Sequence, residues 1–310
     1  MKVVHYVAAV ATPLTKILAA LSADRSAVSE GRVFIGKIRA TIPTALVPAG
    51  ATVAYTSKAD SPAPAVCILH HGDGLLVVDK PVGMPTIADG RGASHALVAL
   101  AARAAGLSER DLHPTSRLDR DVSGVVTFAT TPAAQKTLAF AREQGEYHRR
   151  YVALATRAAE PRDGLCEAPL GRAKDPRHRK VDVRGESAAS RYATVAVAQG
   201  HVAMLALGPL TGRTHQLRVH ASHLGAPLLG DKTYGGPTRL ALGTGKILGL
   251  SRVYLHCARV SLPRGTAASG RLELRSEVPA ALGEVWDAVG GEPDAWAVAL
   301  DWATLPLGPP

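Results

Sequence analysis

The sequence predicts an α+β fold: a mixed, mainly antiparallel sheet with helices packed on it, preceded by a small N-terminal α/β module. Three observations carry this expectation. Short β-rich apolar runs recur along the chain with helical stretches between them, and they do not alternate as regular βαβ units. Ser190 to Val197 and Val202 to Leu207 alternate in the strand period around the turn residues Gln199-Gly200, which is the pattern of a hairpin. At 310 residues and 46% hydrophobic content, the chain can bury one sizeable core and a small accessory domain.

Residues 14 to 57 contain Ile17-Leu18-Ala19-Ala20-Leu21, Asp24-Arg25-Ser26 and Glu30-Gly31-Arg32-Val33-Phe34-Ile35-Gly36-Lys37, and read as two short helices leading into small strands. Ser57 to Pro64 is polar and proline-bearing, which marks a linker. The chain therefore divides into a module over residues 1–60 and a larger domain over residues 61–310. In the larger domain Leu75-Leu76-Val77-Val78 is an apolar strand. Thr130-Thr131-Pro132 offers an N-cap and a proline in the first helical turn; Leu138 and Phe140 supply that helix with apolar contacts, and Gly145 can close it.

Residues 171–180, GRAKDPRHRK, carry five cations, one acid and no apolar residue beyond Ala173, so they read as a solvated loop. Such a loop serves either solubility or phosphate contact. Further on, Thr211 or Thr214 can cap a helix from about His215 to Leu224, with Gly225 as its stop and Leu217, Ala221 and Leu224 turned to the core.

The most informative run is Arg117-Leu118-Asp119-Arg120, followed by Val122-Ser123-Gly124 and a Val/Thr/Phe strand. It places one acid between two guanidiniums in a tight turn. A carboxylate so flanked is ionised at neutral pH and can act as nucleophile or base, while spare guanidinium donors hold a phosphate. The alternative is an ion pair confined to the loop.

Anchored on Asp119, the chain resembles the RluA-type RNA pseudouridine synthases, whose HRLDxxTSG signature is written here from Ser116 to Gly124, with Ser116 in place of His and Val122 in place of Thr. Lys80-Pro81-Val82-Gly83-Met84-Pro85 is similar to the family's KPxGxxV-like loop, and Tyr151-Val152-Ala153-Leu154 to its YxAL strand. The longest match runs from Gly212 to His220 (GRTHQLRVH), with Gly230-Asp231-Lys232-Thr233-Tyr234-Gly235 and Leu255-His256 following in the family's order. The resemblance covers about residues 65 to 280. Residues 1–60 resemble, less closely, the alpha-L RNA-binding module.

The resemblance implies a pseudouridine-synthase sheet with a central active-site cleft. It also implies an isomerase that breaks the N-glycosidic bond of uridine, rotates the uracil and rejoins it through C5. That reaction needs a carboxylate, a pocket for the detached ring and a base for the C5 proton, and no metal, nucleotide or organic cofactor. Asp119 supplies the carboxylate. Tyr151 stacks on the uracil and assists the late deprotonation. Arg218 pairs with Asp119, a role that Arg213 could fill instead. Arg117 attends the nucleotide flipped out of the RNA stack, since a planar guanidinium stacks on bases while bonding phosphate. Arg117, Arg120, Arg213, Lys80, Arg172 and Lys180 are the candidates for holding the substrate.

Composition agrees with a polyanionic partner: Lys and Arg exceed Asp and Glu by 36 to 26, for a net charge of +10 and a pI near 9.8. Structured RNA, ribosomal RNA first and transfer RNA second, is the expected partner of a monomeric cytoplasmic enzyme. The cysteines, Cys67, Cys166 and Cys257, are odd in number, far apart and in no CxxC pair, so neither a disulfide framework nor a zinc knuckle is indicated. The N-terminal apolar run is interrupted by His5, Pro13 and Lys16, unlike a signal peptide, and no stretch approaches a membrane span. His215, His220 and His223 do not share one helical face, so no metal is expected. Gly243-Thr244-Gly245-Lys246 lacks the rest of a P-loop. Two rival readings are a protein that binds RNA without modifying it and a glycosidase. The second wants another carboxylate near Asp119, for which Asp121 is badly placed.

Overall fold

The structure, a computed structural model, describes residues 3–23, 26–28, 31–36, 38–56, 66–88, 96–198, 201–264 and 270–305. The expected linker from Ser57 to Pro64 and the hairpin turn at Gln199-Gly200 lie outside the described residues.

The N-terminal strands β1 (Val3–Val7), β2 (Val33–Ile35), β3 (Ile38–Arg39) and β4 (Thr52–Thr56) form a four-stranded antiparallel sheet in the order β1-β4-β2-β3. Helix α1 (Leu14–Ala20) buries Leu14, Ile17 and Leu18, the one-face spacing of an amphipathic helix, in a cluster with Val33, Val53 and Tyr55. Among the described residues this region holds one helix, not two. Ser26 to Val28 are in a turn, and the Ala27 and Val28 carbonyls accept the Arg32 and Gly31 N–H groups.

The second sheet has ten strands. Its main path uses β5 (Cys67–Gly72), β6 (Leu75–Lys80), β7 (Ser123–Ala129), β8 (His148–Ala155), β9 (Asp163–Cys166), β12 (Ser190–Val197), β13 (Ala203–Pro209) and β14 (Leu255–Pro263), in the order β9-β12-β13-β8-β14-β7-β6-β5. A further strand β15 (Arg271–Arg275) pairs with β14, and the dipeptide His113–Pro114 pairs with β7. Within this sheet, one pairing is parallel, β7 with β14 at Ser123↔His256 and Gly124↔Cys257; the rest are antiparallel. A Cβ on Gly124 would stand 2.2 Å from the Cys257 carbonyl oxygen, and its φ is +115°, so β7 can cross β14 here only with glycine.

Side chains alternate between the two faces with the strand period: along β8, Tyr151 and Ala153 enter one apolar cluster, Val152 and Leu154 another. The first cluster takes in residues of α2 (Leu97–Ala105), α3 (Pro132–Glu143) and α4 (Gln216–His223). The second packs on α5 (Ala280–Ala288) and α6 (Ala295–Leu300) through Leu282, Val285, Trp286, Ala295 and Ala299. β6 and β7 are buried along almost their whole length, with Leu75 to Val78 and Val125, Val126, Phe128 and Ala129 all in the first cluster, so they read as continuous apolar runs rather than alternating ones.

Local signals hold for α3, where Thr131 Oγ1 accepts the Ala134 N–H at 3.2 Å, Pro132 opens the helix and Gly145 (φ +71°) ends it. Phe140 is exposed at 60%, contrary to expectation, because it lies two residues from the buried Leu138 and so on the opposite face. In α4 neither Thr211 nor Thr214 caps. His215 occupies the N-cap in the left-handed region (φ +58°) without a side-chain cap bond. Gln216 reaches back instead, its Oε1 accepting the Arg213 N–H (2.9 Å) and the Thr211 hydroxyl (2.7 Å).

Residues 171–180 belong to a short hairpin, β10 (Leu170–Arg172) with β11 (Arg179–Val181), rather than to a plain loop. Asp175 closes its turn by accepting the Arg177 N–H at 3.0 Å. Among the described residues no helix is long and apolar enough to cross a membrane.

Candidate active site

The Asp119 turn is bolted to the loop after β6. Thr86 Oγ1 donates to the Leu118 carbonyl (2.9 Å) and accepts the Leu118 N–H (3.0 Å), bracketing the residue before the acid. Gly83 N–H donates to the Arg120 carbonyl (2.8 Å), and Arg120 Nη1 returns a bond to the Gly83 carbonyl (2.9 Å). Ser116, standing where the family signature has His, is buried and its Oγ accepts the Thr127 N–H at 3.1 Å. Val122 is buried in the apolar cluster beside Leu118. Both departures from the signature are thus packed without an unpaired polar group in place of the expected one.

A guanidinium reaches Asp119 from α4. Arg218 Nη1 lies 3.1 Å from Asp119 Oδ2, while Arg218 Nε and Nη2 each stand 2.7 Å from the two carboxylate oxygens of Asp231. The Arg218 and Asp231 side chains are 6% and 1% exposed and that of Asp119 26%, so the bidentate pair is buried and the third N–H points at a carboxylate that solvent reaches. Burial disfavours the Arg218 charge, but its two carboxylate partners outweigh burial and hold its pKa above the usual arginine range. Tyr234 lies beneath the same guanidinium, 5.0 Å from ring centroid to Cζ. Beside it, His215 Nε2 stands 3.8 Å from Asp119 Oδ2 and Nδ1 is 2.6 Å from the Tyr234 hydroxyl.

Arg117, next to Asp119 in sequence, is exposed. Tyr151 is 4% exposed, in the cluster that holds Leu118 and Val122. Burial raises its phenol well above the usual tyrosine range, with the neighbouring Cys257 adding to the effect and Arg149 opposing it. Lys80 is a correction to the list of substrate contacts: it is 0% exposed, and its Nζ donates to the carbonyls of Met84 (2.8 Å), Pro81 (3.0 Å) and Arg120 (3.3 Å). Its ammonium staples the two loops together and has no face left for RNA. Burial pushes its pKa down to about 7, against the pull of Asp119.

Arg213, the alternative partner for Asp119, turns elsewhere, with Nε on the Ser187 carbonyl (2.9 Å) and Nη1 on Glu186 (2.8 Å). Arg172 and Lys180 are exposed on the β10–β11 hairpin, Lys180 Nζ pairing with Asp182 at 3.0 Å. Asp231, Thr86, His215 and Tyr234 carry the site's geometry, yet the sequence assigned none of them a role. Asp231 and Tyr234 do fall in the quoted Gly230–Gly235 motif and His215 in GRTHQLRVH, which was the signal available. A cavity of about 440 Å³ opens elsewhere, lined by Arg259, Arg275 and Trp296, and holds none of these residues.

Fold and site together define a mixed-sheet domain in which a partly exposed carboxylate, Asp119, meets a guanidinium held by Asp231. The family described as RNA pseudouridylate synthase matches residues 74–223. The dual-specificity RNA pseudouridine synthase RluA of Escherichia coli (strain K12) is 33% identical over 181 residues, covering 58% of this chain and 81% of that protein. The uncharacterized RNA pseudouridine synthase YhcT of Bacillus subtilis (strain 168) is 32% identical over 200 residues, covering 62% of each chain. The ribosomal large subunit pseudouridine synthase D of Xanthomonas campestris is 35% identical over 199 residues, covering 61% of this chain and 59% of that one. Among solved structures, human RNA pseudouridylate synthase domain containing 4 superposes with a TM-score of 0.56 at 26% identity, covering 72% of this chain and 93% of that one. The chain belongs to the RluA-type family of RNA pseudouridine synthases, isomerases that act on RNA.

Proposed function

We propose that this protein isomerises specific uridines of structured RNA to pseudouridine, with ribosomal RNA as its substrate and Asp119 as the reacting carboxylate. The observation that carries the reading is the Arg218–Asp119 pair, in which a guanidinium fixed by Asp231 aims one N–H at a solvent-accessible acid. In the reaction the C1′–N1 bond breaks and a C1′–C5 bond forms. The C5 proton leaves and N1 gains one, so no redox partner is required. Arg218 orients the carboxylate, which acts on the nucleotide turned out of its stack. Arg117 is read as the residue that fills the vacated space and bonds the phosphate, since a planar guanidinium can do both. Tyr151 offers its ring to the uracil and, with its pKa raised by burial, keeps its phenolic proton through the early steps.

The ribosomal assignment is supported by the Xanthomonas relative, whose name places its action on the large ribosomal subunit. Exposed Arg172, Lys174 and Lys180 on the β10–β11 hairpin and the module over residues 1–60 are read as RNA contacts outside the site. The test is incubation of the purified protein with ribosomal and transfer RNA, with pseudouridine read by mass spectrometry. Site-specific conversion of ribosomal RNA supports the reading; conversion of transfer RNA alone overturns the substrate assignment, and no conversion overturns the activity.

A further inference from the structure

We propose that His215 is a positioning residue for Asp119, held by Tyr234 as the neutral tautomer that carries its proton on Nε2, facing the carboxylate. The argument is one of donor and acceptor counting. The Arg179 N–H, at the start of β11, donates to Tyr234 Oη at 3.0 Å. With that bond accepted, the phenolic hydrogen goes to the other polar atom within reach, His215 Nδ1 at 2.6 Å. Nδ1 is therefore an acceptor, and in a neutral ring the hydrogen sits on Nε2, the nitrogen 3.8 Å from Asp119 Oδ2. That separation is closed by a small rotation of the ring or by one water.

A charged imidazole fits poorly. Its Nδ1–H would have to donate to an oxygen that already accepts from Arg179, and the Tyr234 hydrogen would lose its acceptor. The charged groups around the ring are Asp119, Arg218, Asp231 and Arg179, and burial with the two arginines drives its pKa below the usual histidine value while the two acids oppose this. The backbone adds an independent sign of constraint. His215 is a non-glycine residue at φ +58° on the N-cap of α4, a sparsely populated conformation that sets the ring between Tyr234 and Asp119.

The proposal rests on the reading of Asp119 as the reacting carboxylate, but its first test does not require activity. Two-dimensional proton–nitrogen NMR of the free protein should show His215 protonated on Nε2, and Tyr234→Phe, which keeps the ring over Arg218 and loses the hydroxyl, should convert it to a mixture of tautomers. An Nδ1–H tautomer in the wild type, or one unmoved by Tyr234→Phe, overturns the proposal. The second test is turnover. His215→Gln places an amide N–H near the position of Nε2, His215→Asn only near that of Nδ1, and Asn tolerates the left-handed backbone better. Gln should stay within about threefold of wild-type kcat and Asn fall by about tenfold or more, the worth of one hydrogen bond to a charged group, with KM nearly unchanged in both. Equal losses, or Asn above Gln, overturn the proposal. Absence of pseudouridine with the wild-type protein would overturn the functional reading alone and leave the tautomer result standing.

Discussion

Arg218 and Asp119 are 99 residues apart in sequence and 3.1 Å apart in space, Nη1 to Oδ2, and the guanidinium that makes this contact is fixed by Asp231. Asp119 thus receives a donor whose direction is set inside the core.

Asp119→Ala and Asp119→Asn should abolish pseudouridine formation while RNA affinity changes by less than about tenfold, since binding draws on the distributed basic surface. Arg218→Lys cannot serve both acids with a planar fork and should lower kcat by about tenfold to a hundredfold. Single-turnover assays with filter binding separate the two effects; turnover by pure Asp119→Ala protein would refute the assigned chemistry.

Asp231→Asn should destabilise the protein by about 3 kcal/mol, because it leaves the Arg218 charge buried with half its pairing removed. Replacing both partners, Arg218→Met with Asp231→Leu, should recover much of that stability and none of the activity. Urea denaturation of the three proteins checks this, and a double variant no more stable than the single one counts against it.

His256 is buried at 1% exposure, its Nδ1 2.9 Å from Ser123 Oγ, which accepts from Arg252 Nη2 at 2.6 Å and so donates its own hydrogen to the ring. Burial first, then Arg252, pushes the His256 pKa down from 6.5 to about 4. Below the unfolded value the unfolded chain binds the proton preferentially, so this contribution is complete above pH 6.5 and is lost as pH falls to about 4, a loss of about 3 kcal/mol. Thermal melts across that window should show the acid loss in the wild type and a shallower one in His256→Asn. Parallel curves would contradict the assignment.

Tyr151→Phe keeps the ring in the cluster and removes the hydroxyl, so the melting temperature should stay near that of the wild type while kcat falls. Because burial raises the phenol's pKa well above its usual value, the wild-type rate should show no loss assignable to this group up to about pH 10. Full activity in Tyr151→Phe would return Tyr151 to packing alone.

On the β10–β11 hairpin, Arg177 is already paired with Asp175 at 2.6 Å and Lys180 with Asp182 at 3.0 Å. Arg172 and Lys174 should therefore neutralise the larger share of RNA phosphates. Their joint replacement by Ala should flatten the slope of log affinity against log salt by about 0.7 to 0.9 for each phosphate left unneutralised, and raise KM without lowering kcat. An unchanged slope would assign the hairpin to solubility.

What the sequence determined by itself was whatever is written in neighbouring residues. The Thr131–Pro132 start and Gly145 stop of α3, the strands that become β6, β12 and β13, and the Asp119 turn all follow from periods and caps a few residues long. Resemblance added the order of the motifs and the pairing of Arg218 with Asp119. Tertiary structure alone decided that Lys80 is a staple and not an RNA contact, that residues 171–180 enter a hairpin, that Asp231 holds Arg218, and that Tyr234 joins the Arg179 backbone to His215. Each of these depends on which polar groups lose water when distant segments pack together. A buried donor or acceptor must find its partner wherever the fold brings one, and that partner leaves no trace in local spacing.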